Sequence, residues 1–318
     1  VLQGFVTLAV LFLVLYPLGW LWLGSIRTDP FTPDYTLKWY GTIFTDKVLW
    51  ARVVNTLIIT AGTGIMCLII GVPLAWIVAR TDSPFRRQFE LIAVIPFITA
   101  PLIGALAWIN LAAPRTGLLN LLYRQLFDPA LKEGPLNIFS MGGIIFSLGL
   151  YYSPYVFLFT AGALKSMDPA LEEASRVSGY GIIPTSIRVT LPLVYPAITS
   201  GVLLTMIFAA EQFAIPALLG TPAQISVMTT TIFELMNRRP TNRSLAAAIG
   251  NLLVVFTFLL LYLRNKILSR GAFTTVTGKG HRASRIRLGN WRYLTVGFMT
   301  TYVVTSVLFP SIALLMVS

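Results

Sequence analysis

The chain has 318 residues, of which 56% are hydrophobic and 11% charged. Soluble domains carry about 25% charged residues, so this composition cannot cover a water-facing surface, which excludes a soluble enzyme or nucleic-acid-binding protein. The net charge of +12 therefore reports basic loops beside a membrane, with no nucleic-acid partner. One cysteine, Cys67, and one histidine, His281, leave no internal disulfide, no multi-cysteine metal site and no histidine-centred triad.

A helix crossing hydrocarbon needs about 20 mostly apolar residues. In chain order, uncharged runs at 1–26, 53–79, 91–113, 136–164, 189–210, 244–263 and 293–318 meet that length. The first is too long for the apolar part of a signal peptide and shows no small-residue cleavage site, so it reads as a span. It begins on Val1 rather than methionine, so the natural N-terminus is expected to lie further upstream. A further run, 212–233, is interrupted by Pro216, Gly220, Pro222 and three threonines at 229–231, and reads as re-entrant or interfacial. Seven spans put fourteen basic residues in the loops that hold Arg80, Lys165 and Arg264, against ten in the opposite loops. The positive-inside rule assigns the richer set to the cytoplasm. Trp20, Trp22, Trp39, Trp50, Trp76 and Trp108 fall mostly towards run ends, where interfacial anchors belong.

The loop after the fourth span, 168–192, reads DPALEEASRVSGYGIIPTSIRVTLP. Asp168 suits an N-cap, Pro169 the first helical position, and Glu172 and Glu173 the positive end of the helix dipole. Gly179 is placed to stop the helix in a left-handed conformation. The helix has about ten residues, on the order of 15 Å, too short to span. Leu171, Ala174 and Ser178 share one face of it. Such a loop is either a solvated interfacial segment or a docking helix for a cytoplasmic partner.

Inside the membrane, Glu211 is the one ionisable residue in its apolar tract, followed by Gln212. It either lines a translocation path or ends a span beside water. Asn55, Asn110 and Asn251 could line a path, with interhelical hydrogen bonding favoured for each. Gly143/Ser147 and Ala246/Gly250 are ordinary helix-packing pairs. Segments 5–25 and 298–318 align without gaps and share eight residues, Pro17/Pro310 among them. Two unrelated apolar helices could share these residues; otherwise a second copy begins near 293.

Spacing in the loop is the most specific signal. Glu173-Ala174-Ser175, then Gly179, then Val189-Thr190-Leu191-Pro192 resemble the E-A-A loop of binding-protein-dependent (type I) ABC importer permeases. That pattern is E-A-A, three residues, G, nine residues, I-x-L-P; Ser175 and Val189 depart from it conservatively. The stretches 150–179 and 216–222 are most similar to the fused, two-domain ferric-iron-type permeases. The resemblance implies an all-α polytopic membrane protein in a bacterial-type inner membrane. Its parts are a six-helix type I transmembrane domain and the first helix of a second copy.

Residues 1–50 would be the first span and outer segment, 51–264 the permease core, 265–292 a basic cytoplasmic linker, and 293–318 the start of the repeat. Glu172, Glu173, Ala174, Ser175, Gly179, Leu191 and Pro192 would couple to a cytoplasmic ABC ATPase dimer, which binds the ATP and Mg. A periplasmic or lipid-anchored solute-binding protein would dock on 27–52 and 114–135. A second permease half, in the same chain if fused, would complete the pore within the lipid.

The implied activity is transport, with ferric iron favoured over polyamine, phosphonate or another small solute. The chain itself would hold no catalytic residue, metal or cofactor: Gly278-Lys279-Gly280 lacks the rest of a phosphate-binding loop. An ion-gradient-driven secondary transporter is the rival reading, although Glu211 has no second acid to partner it. Glu211, Gln212 and Asn55 remain the path candidates. The charge rule makes a direct prediction. A cysteine introduced at position 280 is expected to resist an impermeant thiol reagent in intact cells, and labelling there from outside would overturn the arrangement.

Overall fold

A computed structural model describes residues 2–28, 34–270 and 286–317, and among these every regular element is helical. Most of the expected linker, including His281 and position 280, and Ser318 at the end of the repeat lie outside the described residues. The first half of the chain forms α1 (Leu2–Ser25), α2 (Lys38–Thr45), α3 (Lys47–Arg80), α4 (Arg86–Ile92), α5 (Ile95–Ile98), α6 (Pro101–Ala112) and α7 (Leu118–Leu126). There follow α8 (Met141–Ser166), α9 (Pro169–Val177), α10 (Ile182–Thr185), α11 (Leu191–Glu211), α12 (Met228–Asn237), α13 (Arg243–Arg270), α14 (Arg292–Val303) and α15 (Phe309–Val317). A π turn at Ser186–Thr190 leads into α11, and another at Val304–Leu308 joins α14 to α15.

Six helical stretches are long and apolar enough to cross a membrane, and they coincide with six of the seven expected runs. The run 212–233 forms no span: it folds into a π turn at Pro216–Gly220 and the start of α12. The run 91–113 departs from expectation. It breaks into α4, α5 and α6, with a 97° bend between Arg86–Ile98 and Pro101–Ala112. Proline is the physical cause. Pro101 forces Ala100 out of the helical region, to φ −59° and ψ 127°, and Thr99 is also extended. With Pro96 beside the turn at 93–94, no helical ladder can cross this stretch.

The core lies where α3, α8 and α11 pack together. α3 runs 34 residues from an Asp46 cap whose carboxylate accepts the Val48 and Leu49 N–H groups, a length of about 51 Å at 1.5 Å per residue. At Gly71 it meets the backbone of α8: a Cβ there would stand 2.9 Å from the Phe157 nitrogen and the Ser153 oxygen. Trp108, expected near an interface, is buried, with its ring edge-on to Phe146 at 4.7 Å.

The last helix belongs to the same core. Met299, Tyr302 and Ala313 are buried with residues of α3, α6 and α8. The Tyr302 hydroxyl donates to the Ala93 carbonyl at the break (3.2 Å) and accepts from Ser153 (3.4 Å). α1 is attached differently, at its end, where the Asn251 amide donates to Ser25 (2.8 Å) and Tyr40 (3.1 Å). The Gly71 crossing generates a stability prediction. Gly71→Val should destabilise the purified protein by about 1–3 kcal/mol. Gly162→Ala, with nothing within 4 Å of its Cβ, should be neutral or stabilising by up to about 1 kcal/mol. Thermal unfolding in detergent reads both.

Candidate functional site

The short helix α9 forms as its end signals require. The Asp168 carboxylate accepts the Ala170 N–H at 2.9 Å, Pro169 occupies the first turn, and Gly179 stops the helix at φ +88°. The Gly179 and Tyr180 N–H groups then return to the carbonyls of Arg176 (3.0 Å) and Ser175 (3.2 Å). The Ser175 hydroxyl meets that of Thr185 at 2.9 Å, fastening α9 to α10.

The two adjacent glutamates part company. Glu173 is exposed, whereas Glu172 is 4% exposed and turned into the protein. One Glu172 oxygen accepts the Thr190 hydroxyl at 2.7 Å; the other lies 3.3 Å from Nη1 of Arg80, itself 1% exposed. Arg80 is the final residue of α3, and Thr190 closes the turn that enters α11. Arg80 was missed in the sequence, where it counts only as one cytoplasmic charge. The available signal was an arginine ending an apolar run opposite a loop with a surplus acid.

Apart from Glu173 and Ser178, what α9 and α10 leave most exposed is apolar. Val177 is 89% exposed, Ile183 71% and Ile187 58%, with Leu171, Ala174, Tyr180 and Ile182 also at the surface. Arg188 lies over the Tyr180 ring at 5.4 Å. Leu191 and Pro192 begin α11 and are likewise exposed. A contiguous apolar surface on a polar loop is the mark of a protein or membrane contact.

The path candidates lie towards the opposite end of α3 and make separate contacts. Asn55 donates to the Ser226 carbonyl (3.0 Å), and the Gln212 carbonyl accepts the Thr229 hydroxyl (3.0 Å). Both therefore hold the irregular segment before α12. The Arg52–Glu234 ion pair at 2.8 Å ties α3 to α12 itself. Glu211, the last residue of α11, accepts the Thr257 hydroxyl at 3.3 Å and remains exposed. Along the same side of α11, the rings of Tyr152, Tyr155 and Phe208 cluster with centroids 5.0–6.1 Å apart.

Residues 67–273 match the family described as binding-protein-dependent transport system inner membrane component. The chain is 23% identical over 301 residues to a putative ferric transport system permease protein, FbpB 1, of Haemophilus influenzae, covering 94% of this chain and 46% of that protein. It is 29% identical over 242 residues to the spermidine/putrescine transport system permease protein PotB of the same organism, covering 74% and 81%. The chain thus spans about half the length of the ferric permease it matches. Its fold is that of a chain in the crystal structure of a bacterial alginate ABC transporter bound to an alginate-pentasaccharide-loaded periplasmic protein. There the TM-score is 0.68 at 18% identity, over 87% of this chain and 95% of that one. A chain of the MetNI methionine transporter matches at 0.53 and 17% identity, over 72% and 99%.

Proposed function

The chain belongs to the family of binding-protein-dependent inner-membrane transport components, and on that footing we propose that it is the permease subunit of an ATP-driven importer. The observation that carries this reading is the exposed apolar surface of α9 and α10, held against the ends of α3 and α11 by Glu172. A surface of that kind suits a groove on a cytoplasmic ATPase dimer, which binds the ATP and Mg and drives transport from outside the membrane. Ala174 is small and exposed, so a groove can close over α9 there. A solute-binding protein delivers cargo to the opposite face, formed by 27–52 and 114–135, and a second permease half completes the pore.

Small cationic cargo fits the path best, with ferric iron favoured and polyamine the main alternative. Glu211 supports this: it is an exposed carboxylate at the end of an apolar tract. Gln212 and Asn55 border the same route, Asn55 with its amide donor already committed to the Ser226 carbonyl. An acid at membrane depth faces a cavity or a partner in preference to lipid.

Two measurements test these assignments. Ala174→Trp fills the groove side of α9, and Gly179→Val strains a left-handed residue by about 1–2 kcal/mol. Both are expected to insert normally yet lose ATPase co-purification and uptake, while exposed Glu173→Ala is milder. Wild-type assembly and transport in both severe variants would show that α9 is not the coupling element. Glu211→Gln should retain ATPase capture and lower uptake of ferric ion by about tenfold or more; unchanged uptake would remove Glu211 from the path.

A further inference from the structure

Residues 80–83 are a junction. The Arg80 side chain faces Glu172 of α9, while the Arg80 carbonyl accepts the Ile286 N–H at 2.9 Å. Thr81 bridges Ile286 in parallel, and the Asp82 N–H donates to the Ile286 carbonyl at 3.2 Å. The Asp82 carboxylate accepts the Leu288 N–H (3.0 Å), and the Ser83 and Thr295 hydroxyls meet at 2.9 Å. The segment leading into α14 is therefore laid along the cytoplasmic end of α3. On its other side, Glu172 also holds Thr190 at the entrance to α11. One buried carboxylate thus connects the docking helix to α3 and α11 directly, and to the last helix through 80–83.

We propose that Arg80 is a positioning residue for energy coupling: its charge pair with Glu172 is the joint through which movement of α9 reaches α3 and the last helix. The proposal rests on the reading of α9 as the ATPase-docking helix. Three features favour a joint over a local helix-dipole effect. Both glutamate oxygens are engaged by other elements, and neither side chain is open to water. A dry charge pair cannot slide apart without leaving two uncompensated charges, so it carries displacement where an apolar contact would slip. None of the three guanidinium nitrogens makes an aligned hydrogen bond at the 3.3 Å separation, which leaves the pair free to tighten as α9 is pushed inward. The apolar faces of α9 and α10 then provide the grip, and Arg80 provides the transmission.

The test uses the intact natural permease with its ATPase and solute-binding protein in lipid nanodiscs, carrying Glu172→Gln, Arg80→Lys, or the double reversal Arg80→Glu with Glu172→Arg. Glu172→Gln is expected to lower uptake per ATP hydrolysed by about tenfold or more, a larger loss than any in ATPase capture. Arg80→Lys, which keeps the charge, should stay within about threefold of wild type. The single reversals Arg80→Glu and Glu172→Arg, made alongside, should each lose uptake, and the double reversal should regain part of that loss. A wild-type uptake-to-ATP ratio in Glu172→Gln would overturn the proposal. So would insertion and ATPase capture failing in step with transport in every variant, Arg80→Lys included, because that describes a merely structural contact. Hydrogen exchange on the permease without ATPase gives an independent reading. Glu172→Gln should speed exchange at 169–177 and also at 286–288, and unchanged exchange at 286–288 would overturn the joint. A wild-type permease that captures no ATPase would instead sink the docking reading, leaving the exchange at 286–288 to decide whether α9 and the last helix are linked.

Discussion

Inside hydrocarbon there is no water to satisfy a backbone carbonyl, so any interruption of a helix must be covered by protein. The break between α4 and α6 is where this chain meets that constraint most sharply. Pro96 and Pro101 open the helical ladder, and the Ala93 carbonyl is left facing the core. Tyr302 covers it from more than two hundred residues away, and its ring fills space beside Ser153 of α8. The bent span and the last helix therefore depend on one another. Once Tyr302 is seated, Met299 and Ala313 follow into the same buried cluster, and the segment before α14 is drawn along 80–83. The last helix is part of the same buried core as α3, α6 and α8.

That arrangement also fixes where α9 can sit. α9 is nine residues long, too short to be stable alone in water, and owes its order to what holds it. Capping by Asp168 and the Ser175–Thr185 contact set its local shape, while Glu172 sets its position relative to the spans. The result separates two tasks on one helix. The inward side carries the charge that registers α9 against α3 and α11, and the outward side exposes Leu171, Ala174 and Val177 beside Glu173. Two glutamates in succession make the division possible, because neighbours on a helix point about 100° apart.

What was legible in the sequence was what local chemistry determines. Asp168, Pro169 and Gly179 are end signals whose meaning does not depend on the rest of the fold, and α9 begins and ends as they require. Six spans were legible because length and the absence of charge suffice. Segment 212–233 was correctly denied a span because its prolines and glycine outweigh its apolarity. The same reasoning was available for 91–113, where Pro96 and Pro101 stand in plain view, but the surrounding apolar residues masked their effect. Arg80, Gly71 and Tyr302 were illegible for a different reason. Each acquires its role from a partner distant in the chain, and no periodicity or spacing marks an arginine as buried or a glycine as the crossing point.

A buried ion pair is an expensive way to hold a helix. Desolvating both charges costs several kcal/mol per ion before their attraction is counted, and apolar residues of similar volume would often be at least as stable. Stability alone therefore gives poor grounds for placing Arg80 and Glu172 here. Register gives better ones. Removing one partner of such a pair costs about 3–5 kcal/mol, so drawing α9 away from Arg80 is costly where an apolar contact would slide. On the proposed coupling role of α9, resistance to slipping matters more than added stability. The exposed apolar surface can be broad and forgiving because it only has to be gripped. The charge pair behind it cannot, because the direction of the push is decided there.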